Sequence, residues 1–311
     1  MTTAKTSAEH SVHSSRAAFA SVAMALFLLF AKGWAAYRTD STAMLGSLAD
    51  TALDFIASLT TLAGVRIAAQ PADHDHRFGH GKAEALVALA QVALISLSSV
   101  GIMWRAVERL FSRAETQAMD VGISVSLVAI GLTFVLLWYQ ARVITRTGSV
   151  AIKTDNIHYK ADLMLNGAVI VALVLDQVLH LHGADAAFGI AIALWLLWGA
   201  WRSSHEAVNQ LMDREWPEQE RQEFLDAAGQ YDELRGLHDL RTRKSGTLRF
   251  VQFHVWVPAD WTVQEAHDRL DHAEERLQRR FPDTEILIHV DPEGQTDRET
   301  LLPQAITEQA K

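Results

Sequence analysis

The chain has 311 residues, of which 49% are hydrophobic and 21% are charged, with a formal net charge of -9 and no cysteine. The absence of cysteine excludes disulfide frameworks, thiolate catalysis and thiolate metal sites, so any metal would be bound through nitrogen and oxygen. The acidic balance disfavours nucleic acid as a partner and attracts cations.

The charged residues are distributed unevenly along the chain. Residues 1–211 contain 15 acidic and 15 basic side chains, whereas residues 212–311 contain 22 acidic and 13 basic ones. A mean hydropathy of +0.06 is high for a chain with this much charge, unless apolar and charged residues are segregated. We therefore expect a neutral membrane domain at 17–211 and an acidic, water-exposed domain at 212–292, with disordered tails at 1–16 and 293–311.

Six apolar stretches are long enough to cross the hydrocarbon core of a bilayer, which takes about 20 helical residues. They are Ala17–Tyr37, Ala43–Ala69, Ala83–Leu110, Met119–Val143, Val150–Leu179 and Ala186–Leu211. In the first stretch, Lys32 lies beside Trp34 and Tyr37, and we expect it to extend to the interface within an aromatic belt.

An even number of spans leaves both termini on one side of the membrane. Basic residues are more frequent in the loops on the side of the termini than in the opposite loops. This bias favours a multi-pass protein of the inner membrane with both termini in the cytoplasm.

Two pairs of polar residues interrupt the apolar stretches at a spacing of four. Asp50 and Asp54 lie in the second span, and His158 and Asp162 in the fifth. Residues i and i+4 of a helix lie on one face, so each pair directs two ligands the same way. At a helical rise of 1.5 Å per residue, both pairs lie near mid-depth and can meet. Three carboxylates and one imidazole form a four-ligand set for a divalent transition metal.

Two other interpretations of these residues are open. The carboxylates could pair with lysines such as Lys160 in a structural network, although matched pairs at one depth are hard to explain as scaffold. A catalytic zinc site is disfavoured, because such sites keep a position open for water whereas this set fills four. A closed ligand set inside a membrane suits an ion that is carried.

The loop after the second span is rich in potential ligands. It contains Asp73, His74, Asp75, His76 and His80, with His76 and His80 separated by four residues. From the residues alone, a solvated polar loop and a metal site are equally consistent with this composition.

The C-terminal part has the pattern of a small α+β domain. A helix is expected after Pro217, strands at Leu237–Arg243, Leu248–Val257 and Glu285–Asp291, and a helix opened by a capping box of Thr262 and Glu265. The apolar face of that second helix should be formed by Val263, Ala266, Leu270, Ala273 and Leu277.

Histidines from different elements of this domain suggest a further metal cluster. His238, His254, His267 and His289 lie on separate elements, and Asp291 shares a strand face with His289. Each histidine alone would usually be a surface residue, but the set favours metal binding.

Four sequence segments together resemble a known family, the cation diffusion facilitators, and in particular its branch of bacterial zinc and ferrous-iron efflux pumps. These segments are LGSLADTALDFIASLTTL, QPADHDHRFGHGKAEALVALAQ, HYKAD and LMDRE. The resemblance extends from about residue 17 to residue 292. It implies a homodimer with six transmembrane helices per protomer and a ferredoxin-like, metallochaperone-like cytoplasmic domain, and it implies exchange of a divalent metal for protons.

The resemblance also implies which residues bind metal. The transport site would be Asp50, Asp54, His158 and Asp162, and the loop site Asp73, His76 and His80. The cytoplasmic site, binuclear in the family, would be His238, His254, His267, His289 and Asp291. His74 and Asp75 are additional to the family's loop pattern, which leaves the choice of loop ligands open.

We therefore expect a membrane transporter rather than an enzyme. It would export Zn²⁺, and also Cd²⁺ and Fe²⁺, in exchange for protons by alternating access, with zinc also bound structurally in the cytoplasmic domain. The alternative is a membrane-anchored metal sensor without flux. Mn²⁺ is a further candidate for the physiological metal, and a metallohydrolase is disfavoured by the closed ligand set.

Overall fold

A computed structural model describes residues 2–39, 42–111, 122–179, 184–282 and 284–294 of the chain. Their contacts divide the chain into two compact units, His10–Val208 and a second unit of Asn209–Lys311 with Met1–Glu9. Residues 295–311, which include most of the expected C-terminal tail, lie outside the described ranges.

Long helices build the first unit. They are α1 (Thr2–Thr39), α2 (Thr42–Ala68), α3 (Ala83–Phe111), α4 (Gly122–Thr147), α5 (Val150–Leu179) and α6 (Ala184–Leu211). Within the described residues, stretches of five of them, α1 to α4 and α6, are long and apolar enough to cross a membrane. The remaining helix, α5, is 30 residues long but carries charged side chains that include Lys153, Asp155, Lys160 and Asp162. Charged residues in a membrane helix usually face the protein interior or a cavity, as Asp155 and Asp162 of α5 do, whereas Lys160 is exposed.

Helix α1 differs from the sequence-based expectation at its N-terminal end. The helix already begins at Thr2, so the polar stretch expected to be disordered at 1–16 is helical from that residue onward. Each residue added to an existing helix gains a hydrogen bond without a new nucleation step, and the long apolar part of α1 supplies the nucleus. The apolar stretch therefore marks the membrane-length part of this helix and not its start.

Small residues allow the helices of the first unit to approach closely. At Gly64 in α2, a Cβ atom would lie 2.3 Å from Cγ2 of Val87 in α3, so no larger side chain fits without displacing one helix. Ala17 and Ala18 in α1 and Ala151 in α5 are fully buried where α1, α2, α4 and α5 meet. Close packing of small residues is the usual mode of helix association in a membrane.

The C-terminal unit contains a three-stranded sheet in the order β1-β2-β3. Its elements are α7 (Glu218–Ala228), a 3-10 turn at Asp232–Leu234, β1 (His238–Ser245), β2 (Leu248–Val257), α8 (Val263–Arg280) and β3 (Thr284–Pro292). β1 pairs with β2 antiparallel, and β2 pairs with β3 parallel. A parallel pair requires a crossover connection, and α8 supplies it. The expected α+β domain is confirmed.

The core of this unit is formed where α7, α8 and the sheet pack together. Phe224 of α7 and Phe253 of β2 are fully buried, with ring centroids 5.8 Å apart and an edge-on arrangement. α8 contributes Ala266, Leu270, Ala273 and Leu277 as predicted. Val263 is 89% exposed, so its expected place on the apolar face is wrong. It is the first residue of α8, directly after the N-cap.

A capping box holds the start of α8, as the sequence predicts. The Thr262 side chain accepts a hydrogen bond from the Glu265 N–H at 3.2 Å, and the Thr262 N–H donates to the Glu265 carboxylate at 2.8 Å. The hydrogen bond from the Thr262 backbone lowers the pKa of Glu265, so this carboxylate stays ionised to more acidic pH than usual. The box satisfies two backbone donors that a helix start otherwise leaves unpaired.

We expect Thr262→Ala to destabilise the C-terminal domain by about 1 kcal/mol, because the first turn of α8 loses its side-chain acceptor. Hydrogen exchange of the α8 amides in the full-length protein measures the loss. Val263→Ala is the matched control, since the neighbouring side chain is exposed and its truncation should leave exchange unchanged. Equal protection in Thr262→Ala and the parent would contradict a stabilising role for the cap.

Candidate metal sites

Helices α2 and α5 bring together three of the four ligands expected within the membrane. His158 Nε2 lies 3.0 Å from Asp54 Oδ1 and 3.8 Å from Asp162 Oδ2. The three side chains are partly buried, and one ligand atom of each lies within 4.8 Å of the other two. Ligand atoms around a tetrahedral ion with bonds of about 2.0 Å are separated by about 3.3 Å, so only small adjustments are needed to bind one.

Asp50 is placed differently from the other three. Among the described residues it is exposed and lies outside that close group. It nevertheless lines the same cavity of about 200 Å³ as Asp54 and Asp162, between α1, α2, α4 and α5. All three predicted carboxylates therefore line one cavity. For the three to bind one ion together, Asp50 would have to move furthest.

Lys32 also lines this cavity, in contrast to the expectation that it extends to the interface. Its ammonium group donates a hydrogen bond to Thr51 Oγ1 on α2 at 2.7 Å. Trp34 and Tyr37 are 65% and 83% exposed, as expected for an outward-facing aromatic pair. At about 100° per residue, Lys32 lies roughly 200° around α1 from Trp34, so it faces inward where Trp34 faces out.

The sequence analysis missed a fully buried carboxylate one turn before His158. Asp155 accepts hydrogen bonds from Ser21 of α1 at 2.8 Å, from Gln140 of α4 at 2.7 Å and from Gln91 of α3 at 3.3 Å. Three neutral donors from three helices thus fix α5 next to the predicted site. A search for every ionisable residue inside the apolar stretches would have identified it.

The loop between α2 and α3 also arranges its ligands around one carboxylate. Asp73 Oδ1 lies 3.3 Å from His76 Nδ1, and Asp73 Oδ2 lies 3.4 Å from His80 Nε2. These distances match the spacing of about 3.3 Å between ligands of a tetrahedral zinc ion. His74 and Asp75 pair with each other at 3.4 Å and are highly exposed. The structure therefore groups the three residues that the family resemblance implies and leaves the two extra ones outside.

Backbone hydrogen bonds stabilise the ionised form of Asp73. The backbone N–H of His76 donates to Asp73 Oδ1 at 2.6 Å, and this bond, together with a weaker one from the Asp75 N–H, lowers the pKa of Asp73. The carboxylate therefore remains ionised as pH falls below the range where an ordinary aspartate takes up a proton.

Strand register assembles the cluster in the C-terminal domain. His238 of β1 lies opposite His254 of β2, and His254 lies opposite His289 of β3, so the three histidines form a row across the sheet. Ring centroids are 5.3 Å apart for the first pair and 4.5 Å for the second. Asp291 lies two residues after His289 and is therefore on the same face.

Asp291 is the centre of this cluster. Its Oδ2 lies 3.1 Å from His238 Nε2 and 2.8 Å from His254 Nδ1, and its Oδ1 lies 3.5 Å from His289 Nε2. The two oxygens thus face different histidines, as a carboxylate that bridges two ions would. The opposite ring nitrogen of His238, Nδ1, donates to the carbonyl oxygen of Gly236 at 2.7 Å, which directs Nε2 toward the carboxylate.

His267 is not brought into this group. It is exposed on α8, and the close set of ligand atoms in the described part of the domain consists of His238, His254 and Asp291. The helix crosses from β2 to β3, so sequence spacing alone could not show on which side of the sheet its side chains lie.

Asp239 is a second carboxylate that the sequence analysis missed. Its Oδ2 lies 3.7 Å from His254 Nε2, on the opposite ring edge from Asp291, and Arg241 holds it with a contact of 2.8 Å. Its backbone has φ of +47°, in the left-handed region, where the β1–β2 register is irregular between His238 and Arg241. Bulges of this kind commonly redirect a side chain next to a functional site.

The chain thus has membrane-length helices, as a multi-pass membrane protein does, and between two of its helices a carboxylate–imidazole group that could hold a metal ion. The chain belongs to the cation efflux family: residues 18–212 match the cation efflux transmembrane domain, and residues 216–293 match the cytoplasmic domain of cation efflux proteins. The expected family is confirmed, and it is a family of transporters rather than enzymes.

Two cation-efflux pumps agree with this assignment. The chain is 42% identical to the cation-efflux pump FieF of Klebsiella pneumoniae subsp. pneumoniae over 278 residues, 89% of this chain and 92% of the relative. It is also 42% identical to FieF of Escherichia fergusonii over 285 residues, 92% of this chain and 95% of the relative. Among solved structures, the zinc form of CzrB covers 28% of this chain and 99% of its own at 35% identity, with a TM-score of 0.26.

The C-terminal cluster leads to a prediction about zinc-dependent stability. A ligand that binds the folded state stabilises it by mass action. We expect His254→Ala combined with His289→Ala to reduce the zinc-induced rise in the melting temperature of the full-length protein. The exposed His272→Ala is the control and should keep the parent's shift. A full zinc-induced shift in the double variant would show that zinc stabilises the protein elsewhere.

Proposed function

We propose that this chain is a proton-coupled exporter of divalent metal ions, with Zn²⁺ as the main substrate. The observation that carries the proposal is the convergence of Asp54, His158 and Asp162 on one point beside a cavity between membrane helices. Membership of the cation efflux family supports export as the activity. A membrane-anchored sensor would bind metal at such a site without a need for a cavity.

Proton coupling follows from the chemistry of the ligands. The atom of His158 that faces both carboxylates is Nε2, 3.0 Å from Asp54 and 3.8 Å from Asp162. That nitrogen can hold a proton or a metal ion but not both, because a ligating imidazole must present a lone pair. Protons on this group therefore leave when metal enters, and their return displaces the metal on the other side.

Alternating access requires the site to open to each side of the membrane in turn. Helices α2 and α5 each carry two of the four predicted ligands, so a relative movement of these helices would change both access and ligand geometry. We propose that the protein works as a homodimer in the inner membrane with both termini in the cytoplasm. The match of 216–293 to a family named ZT_dimer supports the dimer.

The other two metal sites serve regulation and stability in this proposal. The cluster around Asp291 would bind zinc structurally in the cytoplasmic domain, with the carboxylate bridging two ions. His267, which lies outside the close set in this structure, would be the further ligand that the family resemblance implies. The loop site of Asp73, His76 and His80 would bind metal at the surface. Neither lies within the membrane-length stretches, so neither can carry an ion across the bilayer.

The central test is loss of one ligand from the intramembrane group. Asp162→Ala should abolish zinc uptake into proteoliposomes driven by a pH gradient, while the protein remains folded and dimeric. The side chain is only partly buried and lines a cavity, so its removal does not disrupt an apolar core. Asp176→Ala, on the same helix, is the control for loss of a carboxylate. Near-parental zinc flux in Asp162→Ala would refute the assignment of the transport site.

Ligand chemistry also predicts selectivity. Three carboxylates with one imidazole form a site of mixed hardness, so we expect Cd²⁺ to be carried together with Zn²⁺. Fe²⁺ should be carried less well, because its affinity at such sites is lower in the divalent series. Asp50→His adds a second imidazole and should keep Zn²⁺ transport while rejecting Cd²⁺. Competitive uptake of the two ions by parent and variant measures this. If the variant carries both ions equally, selectivity is set outside the four ligands.

A further inference from the structure

Lys32 places a positive charge in the cavity that contains the predicted carboxylate ligands. The cavity is lined by Lys32 of α1, by Asp50, Thr51 and Asp54 of α2, and by Asp162 of α5. A lysine in a membrane helix is costly unless it faces a cavity or a counter-charge, so its inward orientation points to a function in this cavity.

Thr51 holds the lysine beside the carboxylates. The Lys32 ammonium donates to Thr51 Oγ1 at 2.7 Å, and Thr51 is buried on α2 between the two aspartates of that helix. In the part of the chain that the structure describes, the ammonium is thus anchored by a neutral hydroxyl, and its charge acts on the whole cavity.

The charges of the cavity balance when a divalent ion is present. Asp50, Asp54 and Asp162 carry three negative charges when ionised, and Lys32 with a divalent ion supplies three positive ones, provided that His158 is neutral as a ligand. Without Lys32, the metal-loaded cavity would carry one uncompensated negative charge within the membrane.

We propose that Lys32 is the fixed counter-charge of the transport site: it neutralises the third carboxylate so that the metal-loaded cavity is electrically neutral. The inference rests on the proposed transport at this site. It assigns to Lys32 a role in the metal affinity of the site, and it does not make Lys32 a metal ligand.

Metal affinity is the first test. The full-length protein in lipid nanodiscs is titrated with Cd²⁺ at alkaline pH, where protons compete least. His76→Ala, His254→Ala and His289→Ala are present throughout to weaken the other two sites. Lys32→Met removes the charge at similar length, and we expect it to bind Cd²⁺ about tenfold more tightly, because a positive charge near the ion is lost. Lys32→Arg keeps the charge and should restore the parental affinity.

The matched control is Lys160→Met. Lys160 lies on α5 between His158 and Asp162, but it is exposed and does not line the cavity. The same loss of charge at this position should leave the affinity unchanged. An equal change in Cd²⁺ affinity in Lys160→Met and Lys32→Met would attribute the effect to net charge and overturn the inference. An unchanged or weaker affinity in Lys32→Met would also overturn it.

A second variant keeps the test decisive if Lys32→Met does not fold. Thr51→Val removes the hydroxyl that anchors the ammonium and preserves the side-chain shape, so the lysine can pair with the carboxylates and compete with the metal. We expect weaker Cd²⁺ binding in this variant, and unchanged or tighter binding would count against the proposal.

Failure of the transport site and failure of the lysine inference are distinguishable. Asp162→Ala in the same background should abolish the remaining Cd²⁺ binding. If binding persists there, the site itself is misassigned. If Asp162→Ala abolishes binding but Lys32→Met has no effect on affinity, the inference about Lys32 alone fails.

Discussion

The carboxylates inside the membrane domain impose the constraint on which the rest of the first unit depends. An ionised carboxylate in the hydrocarbon region costs several kcal/mol unless it is paired or hydrogen-bonded. The structure meets this cost in two ways. Asp155 is enclosed by neutral donors from Ser21, Gln91 and Gln140, which ties three helices to α5. Asp54 and Asp162 instead face the imidazole of His158, so their compensation can be exchanged for an ion.

The C-terminal cluster depends on a different constraint, which is strand register. Because side chains alternate along a strand, a shift of one residue between β2 and β3 would move His289 and Asp291 to the opposite face from His254. The buried residues Val251, Phe253 and Val255 lie on the opposite face and fix that register. The hydrophobic core of the domain thereby sets the positions of its polar ligands.

The sequence predicts those features that depend on local periodicity. The helix positions apart from the start of α1, the capping box, the strands and the approach of His158 and Asp162 at a spacing of four follow from it, and a motif set implied the family. Features that depend on the orientation of one element relative to another were not predicted from the sequence. The inward orientation of Lys32, the exposure of Val263 and the bulge that aims Asp239 at His254 arise from how one element lies against another. The position of His267 relative to the sheet is of the same kind, since the spacing of residues along α8 cannot show it.

The three candidate metal sites share carboxylate and imidazole ligands but differ in how freely water reaches them. The loop site is largely exposed, with His76 at 60% side-chain exposure, so water and salt can screen its charges whether or not a metal is bound. In the cluster around Asp291, that carboxylate is 6% exposed, and three histidines surround it at short distances. An ion bound at a site of this kind would be retained, since its loss would leave a buried carboxylate to be compensated.

The cavity beside His158 lies between these extremes. The carboxylates of Asp54 and Asp162 are partly buried, the charges of the cavity are few enough to be balanced by one ion and one lysine, and the ligands come from two separate helices, α2 and α5. Carriage of an ion requires a site that binds and then releases it, and of the three candidates this one combines partial burial with ligands on separate membrane helices.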